Sequence, residues 1–132
     1  MNNELKKRVL ITGASGFIGS FLCEESLSRG FSTWAALRAS SSRRWLQHPD
    51  LQFLILDLSN PTVLRQQLTE CGVRFDVVIH AAGATKCLKA EEFDFHNYQC
   101  TRNLVEALIA TDMMPHQFIY LSSLSATYGK YF

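Results

Sequence analysis

Eight residues near the start of the chain restrict its fold more than any others. Thr12-Gly13-Ala14-Ser15-Gly16-Phe17-Ile18-Gly19 lie between a short apolar run, Val9-Leu10-Ile11, and a segment of helical spacing from Ile18 to Arg29. Glycines in GxxGxxG spacing at such a junction meet three demands. Gly13 permits the tight turn, Gly16 lets backbone N–H groups approach a bound group, and Gly19 lets the helix lie close on the sheet. The helix start then offers unpaired N–H donors and a positive dipole end. A glycine-rich turn can exist without a ligand. One that opens a helix directly after the first apolar strand, inside a βαβ unit of the expected length, predicts a dinucleotide pyrophosphate.

Beyond the stop at Gly30 the alternation continues. Phe31 to Leu37 reads as a second strand, and Ser40 to Arg44 as a polar turn with room for a short helix through Trp45 and Leu46. Leu51 to Leu56 is the third strand. Asn60 caps a helix with Pro61 in its first turn, Leu64, Leu68 and Cys71 on one face, and Gly72 as its stop. Val77-Val78-Ile79 is the fourth strand. A helix runs from about Glu91 to Thr111, with Cys100, Leu104 and Leu108 at i, i+4 and i+8. Phe118 to Leu121 is the fifth strand. Strands apolar on both faces, each followed by a helix, predict a parallel sheet covered on both sides. Right-handed crossovers leave few topologies. The expected one is an α/β, Rossmann-type doubly wound sheet of about five strands in order 3-2-1-4-5, forming a single domain over residues 1–132.

Composition narrows the function classes. A formal net charge of +1 exerts no global pull toward nucleic acid or anionic membrane, although a local anion site can hide inside a neutral total. No basic stripe or aromatic-basic motif supports nucleic-acid binding. No apolar run approaches the ~20 residues needed to span a bilayer. The opening MNNELKKRVLITG has too short an apolar part for a secretory signal, so a cytoplasmic protein with no membrane partner is expected. Cys23, Cys71, Cys87 and Cys100 form no CxxC and read as reduced thiols, three of them on apolar helix positions. His48, His80, His96 and His116 share no ligand spacing, so no metal site is expected. His80 reads as a strand-end residue.

The end of strand two bears on which dinucleotide is bound. An NAD site places an acid there to accept from the ribose 2′-OH. This strand ends Ala35-Ala36-Leu37-Arg38, with Arg43 and Arg44 beyond Ser40, Ser41 and Ser42. A guanidinium pairs bidentately with a 2′-phosphate, whereas an acid repels it. The expectation is NADP, with NAD the alternative and Arg38 its main support; surface arginines that merely solvate a turn are the competing explanation.

Thr12 followed by the GxxGxxG loop resembles the short-chain dehydrogenase/reductase family, and TGASGFIG is similar to its extended branch of sugar-nucleotide epimerases, dehydratases and dihydroflavonol-reductase-like enzymes. The resemblance runs along essentially the whole chain. It implies coenzyme contacts from Gly13, Ser15, Gly16, Phe17, Ile18 and Gly19. It also implies that Asp57-Leu58, closing strand three, lies near the adenine, and that Ala81, Ala82 and Gly83 lie against its ribose. Asn97, in FHNYQCTRNLVEA, matches the family's Asn in an N-V-x-G-T context, with Tyr98 and Cys100 in place of the usual Val and Gly; as a residue it could equally be an exposed helix position. Phe118-Ile119-Tyr120-Leu121-Ser122-Ser123 is similar to the family's strand-five ending. That likeness implies Ser123 as the catalytic hydroxyl, Ser122 beside the nicotinamide, and Ser125 as a weaker candidate.

The family's chemistry also needs Tyr-x-x-x-Lys, in which the Lys lowers the Tyr pKa so that the phenolate can take the substrate hydroxyl proton. Four residues after Tyr98, Tyr120 and Tyr128 stand Arg102, Leu124 and Phe132, so the pair is absent. The expectation is a coenzyme-binding portion of an NAD(P)-dependent oxidoreductase, epimerase or dehydratase, truncated before its substrate lobe and inactive alone on its unknown small-molecule substrate. An open edge on strand five then predicts self-association. Two other classes compete. A non-catalytic dinucleotide-binding regulator would also lack Tyr-x-x-x-Lys. An S-adenosylmethionine methyltransferase would want an acid where Arg38 stands. A P-loop NTPase is excluded by the lack of G-K-[ST] after the glycines.

Overall fold

A computed structural model describes residues 6–82 and 95–122. Five parallel strands form one sheet in the order β3-β2-β1-β4-β5, the expected doubly wound arrangement. The strands are β1 (Arg8–Thr12), β2 (Ser32–Leu37), β3 (Gln52–Ile55), β4 (Val77–His80) and β5 (Gln117–Tyr120). The helices are α1 (Phe17–Ser28), α2 (Pro61–Cys71) and α3 (Cys100–Ala110), the last entered through a wide π-helical turn at Phe95–Gln99. The register sets Thr12 beside His80, and His80 beside Tyr120, so three strand ends line up across the sheet.

Alternation along the strands divides the core. Leu10, Ala36 and Val78 point to the side where Leu64 and Leu68 of α2 and Leu104, Ala107 and Leu108 of α3 pack, with Phe75 beneath. Val9, Ile11, Ala35 and Leu37 point to the side of α1, where Cys23 is buried among them. Burial pushes the Cys23 thiol pKa up to about 12, so it is a small hydrophobe rather than a nucleophile. The α2 start is self-contained: the Asn60 side chain accepts from the Val63 N–H at 3.2 Å, Pro61 opens the helix, and Gly72 ends it at φ 62°.

Two local expectations change. No helix forms through Trp45 and Leu46; Leu46 is buried but the segment is a turn, with Arg44 lying over the exposed Trp45 ring. The continuous helix expected from Glu91 is a π-helical turn before α3, and 83–94 lie outside the described residues. The turn coincides with two side-chain contacts: the Asn97 carbonyl accepts from the Thr101 hydroxyl at 3.3 Å and, from β5, the Tyr120 hydroxyl at 3.2 Å, donors that compete with the helical ladder. Among the described residues no helix is long and apolar enough to cross a membrane.

Candidate functional site

A cleft of about 650 Å³ opens where the strands end and their connections begin. Gly13, Ser15 and Gly16 form one wall, Leu37, Arg38 and Ser41 another, and Asp57, Leu58, Ala81 and Ala82 close it. Such a crevice outside the carboxyl ends of a doubly wound sheet is where this architecture binds ligands.

The glycine loop is tight because its neighbours leave no room. Gly13 has φ +65°, and a Cβ there would stand 2.6 Å from the Ala82 nitrogen, so the loop lies directly on the chain leaving β4. The expectation for Gly19 shifts: a Cβ at this position would overlap the Gly13 carbonyl oxygen, so the close approach is to the loop itself. Gly16 N–H donates back to the Gly13 carbonyl at 3.1 Å and caps α1 with its backbone alone. No side chain caps that helix and no acid stands in its first turn, which leaves its positive end to an external anion.

A directional hydrogen-bond chain holds this geometry. Thr12 Oγ1 accepts from the N–H groups of Ala81 (3.1 Å) and Ala82 (3.3 Å). Both lone pairs of that hydroxyl are used, so its proton goes to His80 Nδ1 at 2.7 Å. His80 is therefore the Nε2–H tautomer, donating to Thr101 Oγ1 at 2.9 Å, and Thr101 in turn donates to the Asn97 carbonyl. His80 is wholly buried, and burial lowers its pKa from 6.5 to about 4. A neutral ring fits the chain; a second ring proton would confront the Thr12 hydroxyl. His80 closes β4, as expected, and its hydrogen bonds tie Thr12 to Thr101.

Asp57 and Leu58 are also held from behind. Gln67 Oε1 accepts from the Asp57 N–H at 2.7 Å, and Asn103 Nδ2 donates to the Leu58 carbonyl at 2.8 Å. One Asp57 carboxylate oxygen accepts from the Ser59 N–H at 3.0 Å and from its hydroxyl. At the end of β2, Arg38 and Ser41 close a turn on each other: Arg38 N–H donates to Ser41 Oγ at 3.1 Å, and Ser41 N–H to the Arg38 carbonyl at 3.0 Å. Arg38 remains exposed at the cleft wall. Cys100 lines the same cleft, its thiol pKa raised by burial and by the Asp57 carboxylate, with Arg38 pulling the other way.

The structure thus gathers Gly13, Ser15, Gly16, Arg38, Asp57, Leu58, Ala81 and Ala82 around one cavity. It places others apart from that lining. Phe17 and Ile18 are exposed at 78% and 60% on the first turn of α1, and Arg43 lies over the Phe53 ring at 4.1 Å. Asn97 sits in the π-helical turn and Ser122 is exposed just past β5. Gly83, Ser123 and Ser125 lie outside the described residues. Sequence reasoning did not single out Gln67, Asn103 or the cleft role of Cys100. Gln67 and Asn103 act on backbone groups 10 and 45 residues away, so no local spacing pointed to them.

Residues 9–131 match the model of the NAD-dependent epimerase/dehydratase family. The chain is 30% identical over 130 residues to a UDP-N-acetyl-alpha-D-glucosaminuronate decarboxylase of Bacillus cytotoxicus, covering 96% of this chain and 39% of that enzyme. It is 34% identical over 76 residues to a decarboxylating sterol-4-alpha-carboxylate 3-dehydrogenase of Dictyostelium discoideum, covering 58% of this chain and 22% of that one. The crystal structure of the Bordetella bronchiseptica enzyme WbmH in complex with NAD+ superposes with a TM-score of 0.73 at 26% identity, over 92% of this chain and 40% of WbmH. The chain therefore spans two fifths or less of these relatives' length.

Proposed function

The chain belongs to the NAD-dependent epimerase/dehydratase family, and on that premise we propose that it is a single coenzyme-binding domain of an oxidoreductase, epimerase or dehydratase acting on a hydroxyl or keto group. The observation that carries this is the cleft that brings the glycine loop, the Ala81-Ala82 strap, Asp57-Leu58 and Arg38 to one cavity. Its residues fit a dinucleotide. The uncapped start of α1 suits a pyrophosphate, the Gly13 turn has no space for a side chain, and Asp57 offers a carboxylate oxygen to an exocyclic amine. When bound, such a coenzyme supplies two-electron redox chemistry through its nicotinamide.

The chain's own residues bind and orient. Thr12 and His80 keep the Ala81-Ala82 strap against the loop. Gln67 and Asn103 hold Asp57 and Leu58 in place. Arg38 supports NADP over NAD, with the Ser41 hydroxyl beside it, and Arg43 takes no part at the cleft wall. Asn97 is a further coenzyme contact in this proposal, Ser122 belongs to its nicotinamide side, and Ser123 is the hydroxyl proposed to hydrogen-bond the reacting substrate oxygen. Nucleotide sugars are the first substrate class to test, because the Bacillus relative is named for one.

Parallel calorimetric titration with NADPH and NADH tests the reading. NADPH is expected to bind at least about tenfold tighter, a difference of ~1.4 kcal/mol, and Arg38→Asp is expected to reverse the order. Equal affinities would remove the NADP preference, and binding of neither would remove the coenzyme reading itself. The outer edge of β5, paired only with β4 among the described residues and carrying the half-exposed Tyr120, is proposed to mediate self-association. Light scattering at high concentration should then show a dimer or larger species, and a monomer would refute it.

A further inference from the structure

The opposite end of the sheet carries a second concavity, of about 340 Å³. It is lined by Lys6, Lys7, Arg8 and Arg74, with His116 alongside and a single carboxylate, Asp76. Four cations share one hollow in a chain whose formal net charge is only +1. Asp76 offsets one of these charges and leaves a clear positive excess; its carboxylate is held in place by the Arg8 backbone N–H, from which it accepts at 2.8 Å. Among the described residues the ion pairs are Arg29–Glu25 and Arg102–Glu106, and no described carboxylate lies within salt-bridge distance of these four cations.

The hollow is built on rigid backbone. Asp76 N–H donates to the Arg8 carbonyl at 2.9 Å and Gln117 N–H to the Asp76 carbonyl at 3.2 Å, which ties the starts of β1, β4 and β5 together. Phe75 is fully buried beneath. β1 runs from Arg8 to Thr12, so at ~3.3 Å per residue the two concavities lie about 13 Å apart along the strand.

We propose that this concavity is a second binding site, for a small phosphorylated ligand bearing a phosphate monoester or a diphosphate. A volume of about 340 Å³ lies at the small end of the range for small-molecule sites. Two arginines and two lysines around one hollow suit the oxygens of a phosphate, which Arg grips in a fork and Lys meets as a point charge. No step here depends on the coenzyme reading.

Amide NMR titration of the 132-residue chain at low ionic strength tests it, with inorganic pyrophosphate as the probe and glycerol 3-phosphate as the ester arm. Saturable shifts are expected at Lys7, Arg8, Arg74, Phe75, Asp76 and His116. Affinity should fall about tenfold in Arg74→Glu and about threefold in Lys7→Gln. A response to glycerol 3-phosphate identifies an ester ligand, and a response to pyrophosphate alone a diphosphate. Shifts confined to Gly13–Gly16, no saturable shift, or unchanged affinity in both variants would overturn the proposal. So would binding of phosphatidylserine vesicles without any response to the small anions, which would make this end a membrane-facing patch.

Discussion

The starts of α1 and α2 are built in opposite ways. α2 closes its own first turn with the Asn60 side chain and buries Leu64 and Leu68 completely, so it needs nothing from outside. α1 begins on a bare glycine backbone and buries only Gly19, Cys23 and Ser26, while Phe17, Ile18 and Phe21 stay in solvent. Ser26 is matched by a hydroxyl pair with Thr33 at 2.7 Å rather than by apolar contact. One helix is made for the core. The other gives up packing to bring an uncapped end close to the cleft.

That contrast can be broken most sharply at the core. Leu104→Ala on α3 should cost about 3 kcal/mol by denaturant unfolding, whereas the exposed Phe21→Ala on α1 should stay within about 0.5 kcal/mol. Comparable losses would erase the distinction between the two sides. His80 gives the next largest effect. Its folded pKa, about 4, lies below the ordinary 6.5, so between these values the unfolded chain binds more protons. Stability should be full above pH about 6.5 and fall by on the order of 3 kcal/mol as pH drops toward 4. Unfolding midpoints over this range should slope in the wild type, and an equally steep slope in His80→Asn would assign the effect elsewhere. The smallest change sharpens the comparison of the helix starts: Asn60→Ala should lower stability by about 1 kcal/mol and leave dinucleotide affinity unchanged.

The same contrast explains how much could be read in advance. Leu64, Leu68, Leu104 and Leu108 recur at helical spacing, and strand runs such as Val77-Val78-Ile79 alternate with them, so the elements followed from periodicity and the strand order from the handedness of their crossovers. α1 was legible in the helical spacing of Ile18 to Arg29 and in the glycines before it, but its buried face is narrower, with Gly19, Cys23 and Ser26 in place of a leucine stripe. Gly13, Gly16, Arg38 and Asp57 were legible because each ends or follows a strand, where this topology collects ligands. Gln67 and Asn103 were not, because their partners are backbone groups 10 and 45 residues away in sequence. The π-helical turn coincides with the Tyr120 hydroxyl reaching Asn97 across 23 residues, a contact that no local spacing encodes.

The central claim is that the bare start of α1 exists for a dinucleotide. Amide NMR of the 132-residue chain, with and without saturating NADPH, addresses it directly. The amides of Gly13 to Gly19, with Ala81 and Ala82, should shift and become protected from exchange, while those of Leu104 to Leu108 stay where they are. An unchanged loop, or shifts that fall on α3 and spare the loop, would contradict the account.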